Sequence, residues 1–351
     1  MLVITSFILS CLYAARVHAV SPQDLATAYG MQTTTVWEFP PSPLNNTAAP
    51  TYVTDTPSWG VKRITENGQD LTFVADPFPN KSPNVINTGA SPSNTSATVL
   101  AVNYPQGSFS HDTGGVQFNN IFDSTGSAGY QSMILSYEVA FDESFQFVKG
   151  GKLPGLRGGP VQAGCSGGNQ PNGTDCFSVR LMWRTLGSGE AYAYIPTPNG
   201  ICNNSGVRCN SDGFGVSIDR ATFSFTPGQW TRITMLIRLN DPTYANGELW
   251  LYYNDLLAVK MQDVYFRSTN DIQSVQGMYF STFFGGNDNT WASPVSQNTY
   301  YRNIQLWAST AQSNVTGQPV KAFGAATTPR SSSWWSLSGT AVLAGAASLF
   351  L

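Results

Sequence analysis

The sequence predicts an all-β protein, a β-jelly roll built as a two-sheet antiparallel sandwich, and three observations carry that prediction. Apolar and polar residues alternate with a period of two over many short runs. Gly, Pro, Asn and Asp punctuate those runs, as in Thr226-Pro227-Gly228-Gln229, Asn246-Gly247 and Asn254-Asp255. Helical periodicity is hard to find anywhere, while 351 residues with 41% hydrophobic content suffice to bury one large core.

Taken in order, residues 1–19 read as a secretory signal peptide, with the apolar run Leu2 to Leu12 preceding the small-x-small pattern Val17-His18-Ala19. Residues 20–60, rich in Pro, Thr and Asn, read as an N-terminal arm with at most short strands. Residues 61–308 form the jelly-roll domain, with strands read at 135–141, 177–184, 190–195, 221–225, 230–239, 247–253, 258–266, 277–284 and 299–307. In the second of these, Phe177, Val179, Leu181 and Trp183 take one face and Ser178, Arg180, Met182 and Arg184 the other. The third sets Ala191, Ala193 and Ile195 against Glu190, Tyr192 and Tyr194. Residues 309–326 read as a Ser/Thr/Gly-rich stalk, and 327–351 as a GPI-attachment signal. The final apolar run, Ala341 to Leu351, is too short for a bilayer that needs ~20 residues. The expected setting is therefore extracellular, a secreted fungal-type protein held at a cell surface or wall only through a lipid anchor.

Cysteine usage agrees with export. Cys11 lies in the signal, which leaves Cys165, Cys176, Cys202 and Cys209 for two disulfides. Of the three possible pairings, Cys165 with Cys176 and Cys202 with Cys209 each close a short Gly/Asn-rich loop. Sequons at Asn45, Asn94, Asn172, Asn203 and Asn314 mark glycosylation sites. No His/Asp/Glu cluster has metal-ligand spacing, so neither metal nor cofactor is expected. A monomer is expected.

Charge narrows the partner. With 18 basic against 21 acidic residues the chain is acidic overall, which argues against nucleic acid. Yet Ser144 to Gly189 carries Lys149, Lys152, Arg157, Arg180 and Arg184 against a single acid, Asp175. Such an island steers an anionic ligand. The run GGKLPGLRGG, Gly150 to Gly159, reads as a flexible loop presenting Lys152. If the strands at 177–184 and 190–195 pair as a hairpin, Ser178, Arg180, Tyr192 and Tyr194 project from one exposed face. His111, Gln117, Asn119 and Arg184 are further groove candidates.

GGKLPG at 150–155, the Ser178-x-Arg180 pair, Tyr192-x-Tyr194, FSTFFGG at 280–286, Trp291 and the closing Tyr301–Trp307 strand resemble the alginate and glucuronan lyases of polysaccharide lyase family 14. The resemblance spans Tyr104 to Trp307. It implies a jelly roll, an anionic polyuronate as substrate, and Lys152, Ser178, Arg180, Tyr192 and Tyr194 as active-site residues. The chemistry fits those residue types. Removing a proton alpha to a carboxylate requires that the carboxylate be neutralised, which Lys or Arg can do. A base then takes the C5 proton while an acid protonates the departing O4; Tyr192 or Tyr194 can serve, and a nearby cation lowers a tyrosine from its usual value of about 10. Lys152 is expected to neutralise the carboxylate or to act as the base, and Ser178 to orient the sugar.

Two rival readings remain at this level. A glycoside hydrolase needs two carboxyls about 5–10 Å apart, and the adjacent acids Asp142 and Glu143 face opposite ways on a strand. A non-catalytic glycan-binding cell-wall protein would use aromatic platforms such as Trp250 and Trp291.

Overall fold

A computed structural model describes residues 19–85, 98–122, 129–162, 164–198, 200–210 and 214–320. Residues 1–18 of the signal, the GPI signal and the Asn94 sequon lie outside them. The elements in order are α1 (Pro22–Ala28), β1 (Thr33–Val36), α2 (Ala48–Asp55), β2 (Val61–Glu66), β3 (Leu71–Ala75), β4 (Thr98–Tyr104) and β5 (Val116–Asn120). Next come β6 (Ser132–Phe141), β7 (Gly150–Gly158), β8 (Phe177–Arg184), β9 (Gly189–Tyr194), β10 (Val207–Arg208), β11 (Val216–Ile218) and β12 (Thr231–Arg238). The last are β13 (Tyr244–Ala245), β14 (Gly247–Tyr253), β15 (Leu256–Val264), β16 (Val275–Phe284), β17 (Gln297–Ser309) and β18 (Gln318–Pro319).

Among the described residues, two antiparallel sheets of eight strands dominate. The first runs β15-β14-β12-β6-β17-β4-β3, with β1 added to β17; the second runs β10-β11-β9-β8-β7-β16-β5-β2. Alternate residues of both sheets meet in one apolar core. Aromatic pairs bridge the layers, Tyr104 and Phe141 of the first against Trp183 of the second, and Tyr301 against Phe280. This is the β-jelly roll that the alternation predicts.

Residues 20–60 depart from the expected arm. α1 is capped by Ser21, whose hydroxyl accepts from Asp24 N at 3.1 Å, and it starts on Pro22. It lays Leu25 and Ala26 on Ile134, Leu236 and Trp307, on the outer face of the first sheet. α2 begins where Asn45 Oδ1 accepts from Thr47 N and Ala48 N, and it sends Ala49 and Val53 into the main core. Both helices are too short to show periodicity, so tertiary burial rather than propensity holds them.

Two further expectations are corrected. Of the run 150–159, residues 150–158 form a fully buried strand, β7, and not a flexible loop. Its glycines are there because neighbours leave no room: a Cβ on Gly151 would lie 2.1 Å from the Trp183 ring, and one on Gly155 would lie 1.9 Å from Val179 O. The segment 221–225 forms no strand, and only Ser224 bridges, to Ser188. Asp219 and Ala221 both take positive φ, 49° and 67°, which breaks the extended backbone while Phe223 and Phe225 still turn into the core.

Candidate active site

The second sheet holds a cleft of about 560 Å³ on the face away from the core. β8 and β9 supply its floor. Ser178 stands opposite Tyr194 and Arg180 opposite Tyr192, so the expected hairpin forms, with all four side chains on the side opposite Phe177, Val179 and Leu181. The face is not exposed, however. Arg180 and Tyr192 keep only 1% and 5% of their surface, because loops wall the groove.

β7 brings Lys152 in through a bulge. Leu153 pairs with Leu181 and Leu156 with Val179, so Pro154 and Gly155 together stand opposite Arg180. With the extra residue, both Leu153 and Leu156 reach the core, while Lys152 remains beside Met182 on the cleft face. Pro154, which cannot donate to the ladder, is tolerated at the bulge, and its carbonyl accepts from Tyr137 OH at 3.0 Å.

Lys152 is poorly compensated. Its Nζ sits 2.7 Å from Met182 Sδ and 3.5 Å from the centroid of the Tyr192 ring. Burial, then the Arg180 and Arg184 guanidiniums, hold its pKa well below the usual lysine value. Arg180 donates to Ser281 Oγ at 2.8 Å, Ser281 Oγ donates to Gln117 Oε1 at 2.7 Å, and Tyr279 OH donates to the same Oε1 at 2.9 Å. Among the described residues Arg180 Nε is buried without a hydrogen-bond partner. The Tyr192 hydroxyl accepts from Asn210 Nδ2 at 3.3 Å. Contrary to the expectation that cations draw it down, the Tyr192 pKa is raised, because burial and the neighbouring Tyr194 outweigh Arg184 and Arg180.

Lys152, Arg180, Arg184, Tyr192, Tyr194, His111 and Gln117 all line this one cleft. Ser178 and Asn119 are not in its lining. The Ser178 hydroxyl donates to Cys165 O at 2.6 Å and is spent on positioning the adjacent loop. Asn119 shares a face with Gln117 but lies one step further along β5, opposite Tyr279. Arg157, from the same glycine-rich run as Lys152, is buried and donates to Val161 O. Met182, Asn210, Arg220 and Phe283 were not singled out from sequence as groove residues. Met182 alternates in step with Arg180, which was the available signal; Asn210 and Arg220 arrive by loops that no local pattern announces.

Both disulfides have the local pairing, Cys165–Cys176 and Cys202–Cys209. The first anchors the loop whose Ser166 and Gly167 line the cleft and whose Gly168 N donates to Tyr194 OH at 3.2 Å. Cys165, Asp175 and Cys176 are the one close group of metal-ligating types among the described residues, and both sulfurs are committed to the disulfide. Replacing Cys165 and Cys176 together by Ser is expected to lower unfolding stability by about 3 kcal/mol and to weaken substrate turnover as Tyr194 loses its backbone donor. Chemical denaturation and initial rates check this; unchanged rates would show that the loop holds itself.

No Asp or Glu lies among the described lining residues, whereas Lys152, Arg180, Arg184 and Arg220 all do. Asp142 is occupied elsewhere, accepting from Asn298 N and Tyr300 OH, and Glu143 pairs with Lys81. A two-carboxyl hydrolytic mechanism finds no residues among the described lining. Trp250, the other aromatic platform considered, sits against Tyr29 on the first sheet, away from the cleft.

The family model for polysaccharide lyase 14 matches residues 92–304. The chain belongs to polysaccharide lyase family 14. This family 14 lyase is similar to the marine alginate lyase from Aplysia kurodai, with 34% sequence identity, a TM-score of 0.55, and coverage of 62% of this chain and 85% of that one. It also shares its fold with an alginate lyase from a Chlorella virus (20% identity, TM-score 0.50, covering 65% of this chain and 90% of that one). The alginate lyase Aly36B is a third fold relative, at 18% identity and a TM-score of 0.51, covering 87% of this chain and 96% of that one. No curated protein matches the chain.

Proposed function

We propose that this polysaccharide lyase cleaves a polyuronate by β-elimination, with Lys152 as the base and Tyr192 as the acid. The observation that carries the reading is a cleft lined by four cations and two tyrosines, without a carboxylate among its described residues. Arg180, with its unpartnered Nε, neutralises the sugar carboxylate and so acidifies the adjacent C5 proton. Lys152, its pKa depressed, has a free lone pair to take that proton. Tyr192, its pKa raised, keeps its proton until the C4–O bond breaks and then gives it to O4. One bond to hydrogen and one to oxygen are lost, and a C4–C5 double bond forms. Tyr194 and Gln117 hold the sugar and Arg180 in place.

The closeness of Lys152 to the Tyr192 ring supports a base and an acid that act from one side of the sugar. Elimination is then syn, which suits uronates whose H5 and O4 share a ring face: β-mannuronate and β-glucuronate do, and α-guluronate does not. The test is to incubate the protein with polymannuronate, glucuronan, polyguluronate and a neutral β-glucan while following ultraviolet absorbance and reducing ends. Both signals should appear for the first two polymers only. Tyr192→Phe should lower kcat by about 10³-fold. The wild-type rate should rise as Lys152 deprotonates and then stay level well into the alkaline range, since Tyr192 must remain protonated. Reducing ends without absorbance would overturn the lyase reading, and equal cleavage of polyguluronate would overturn the stereochemical one.

A further inference from the structure

Next to the proposed base and acid lies a cluster that the elimination step does not use. Glu190 is fully buried on β9, opposite Met182 and two residues from Tyr192. Both of its oxygens are occupied: Oε1 accepts from Arg184 Nε at 2.8 Å and Arg184 Nη2 at 2.5 Å, and Oε2 accepts from Arg220 Nε and Ser217 Oγ, each at 2.6 Å. One arginine would neutralise Glu190. The second leaves a net positive charge, and both guanidiniums line the cleft, with side chains 15% and 32% exposed. Each keeps an Nη1 for which no protein acceptor is identified among the described residues. A buried carboxylate that grips two guanidiniums fixes their planes in advance, which lowers the ordering cost of a bidentate contact to an incoming carboxylate.

We propose that Arg184 and Arg220, clamped by Glu190, form a second carboxylate-binding subsite that takes the uronate next to the one being cleaved. Two residues along β9 amount to about 7 Å, the scale of one sugar ring. The Arg184 guanidinium lies 5.8 Å from the Tyr192 ring centroid, so the subsite adjoins the acid that serves the departing oxygen. The polymer is thereby read as consecutive acidic sugars, and a chain whose neighbouring unit is neutral loses this anchor. This inference rests on the polyuronate reading above.

The test is steady-state kinetics of the full chain on the cleaved polymer and on a ladder of its oligomers, for wild type, Arg220→Gln and Arg220→Lys. In Arg220→Gln, KM for the polymer should rise about tenfold with kcat changed less than about twofold. The jump in kcat/KM on adding the sugar that reaches the subsite should flatten in this variant. Arg220→Lys should recover part of that jump, because charge returns without the fork. An unchanged KM and ladder in Arg220→Gln would overturn the subsite. So would a joint fall of kcat and melting temperature with no dependence on oligomer length, which is the behaviour of a structural brace. A wild type that makes no unsaturated product from any polyuronate overturns the underlying functional reading instead, and the two failures are distinguishable.

Discussion

Replacing Lys152 by Met is expected to lower kcat by about 10³–10⁴-fold and, in the same protein, to raise the melting temperature. The two effects have one cause. Lys152 is 8% exposed, and its Nζ lies against a thioether and an aromatic ring and faces two guanidiniums. The folded state disfavours its charge, which suits a base and costs stability. A methionine fills similar volume beside Met182 without a charge to desolvate, and the gain expected is about 1–2 kcal/mol. Initial rates by ultraviolet absorbance and thermal unfolding of the same sample decide the matter. Retained turnover would remove Lys152 from the chemistry; lost turnover with lowered stability would mean that its role is in packing.

The second large effect is structural. Gly155→Ala is expected to cost about 3 kcal/mol or more and to abolish activity at temperatures where the wild type is folded. Its Cβ would meet Val179 O at 1.9 Å and Arg180 Cα at 2.6 Å, backbone atoms that cannot swing aside. Relief requires β7 and β8 to separate at the bulge, which moves Lys152 and Arg180 apart. Gly68→Ala is the comparison, because its nearest contacts are 3.4 Å or longer and side-chain only. A mild effect at Gly155, close to that at Gly68, would mean that the bulge does not need its glycine.

These two cases mark where sequence reading succeeds and where it stops. The alternation in Phe177–Arg184 identifies the core face and the cleft face of β8, because a period of two survives even when both faces are buried. Tyr192 and Tyr194 follow by the same rule once the hairpin is assumed. The glycines of β7 mislead for a reason that local pattern cannot contain. They are required by Trp183 and Val179, about thirty residues later, and a glycine excluded by crowding looks like one chosen for freedom. The sign of the Tyr192 shift is equally hidden, since it depends on how burial weighs against the two arginines. At seven and eight residues, α1 and α2 carry too little periodicity to be read as helices.

The place of β17 has a consequence for assembly. Residues 297–309 fill the gap between β6 and β4 and also hold β1, whose residues lie some 270 positions earlier. Until that late segment emerges from the ribosome, the first sheet stays split and its two halves have nothing to zip to. Completion of this sheet is therefore a late and slow step of folding, governed by closure of a very long loop.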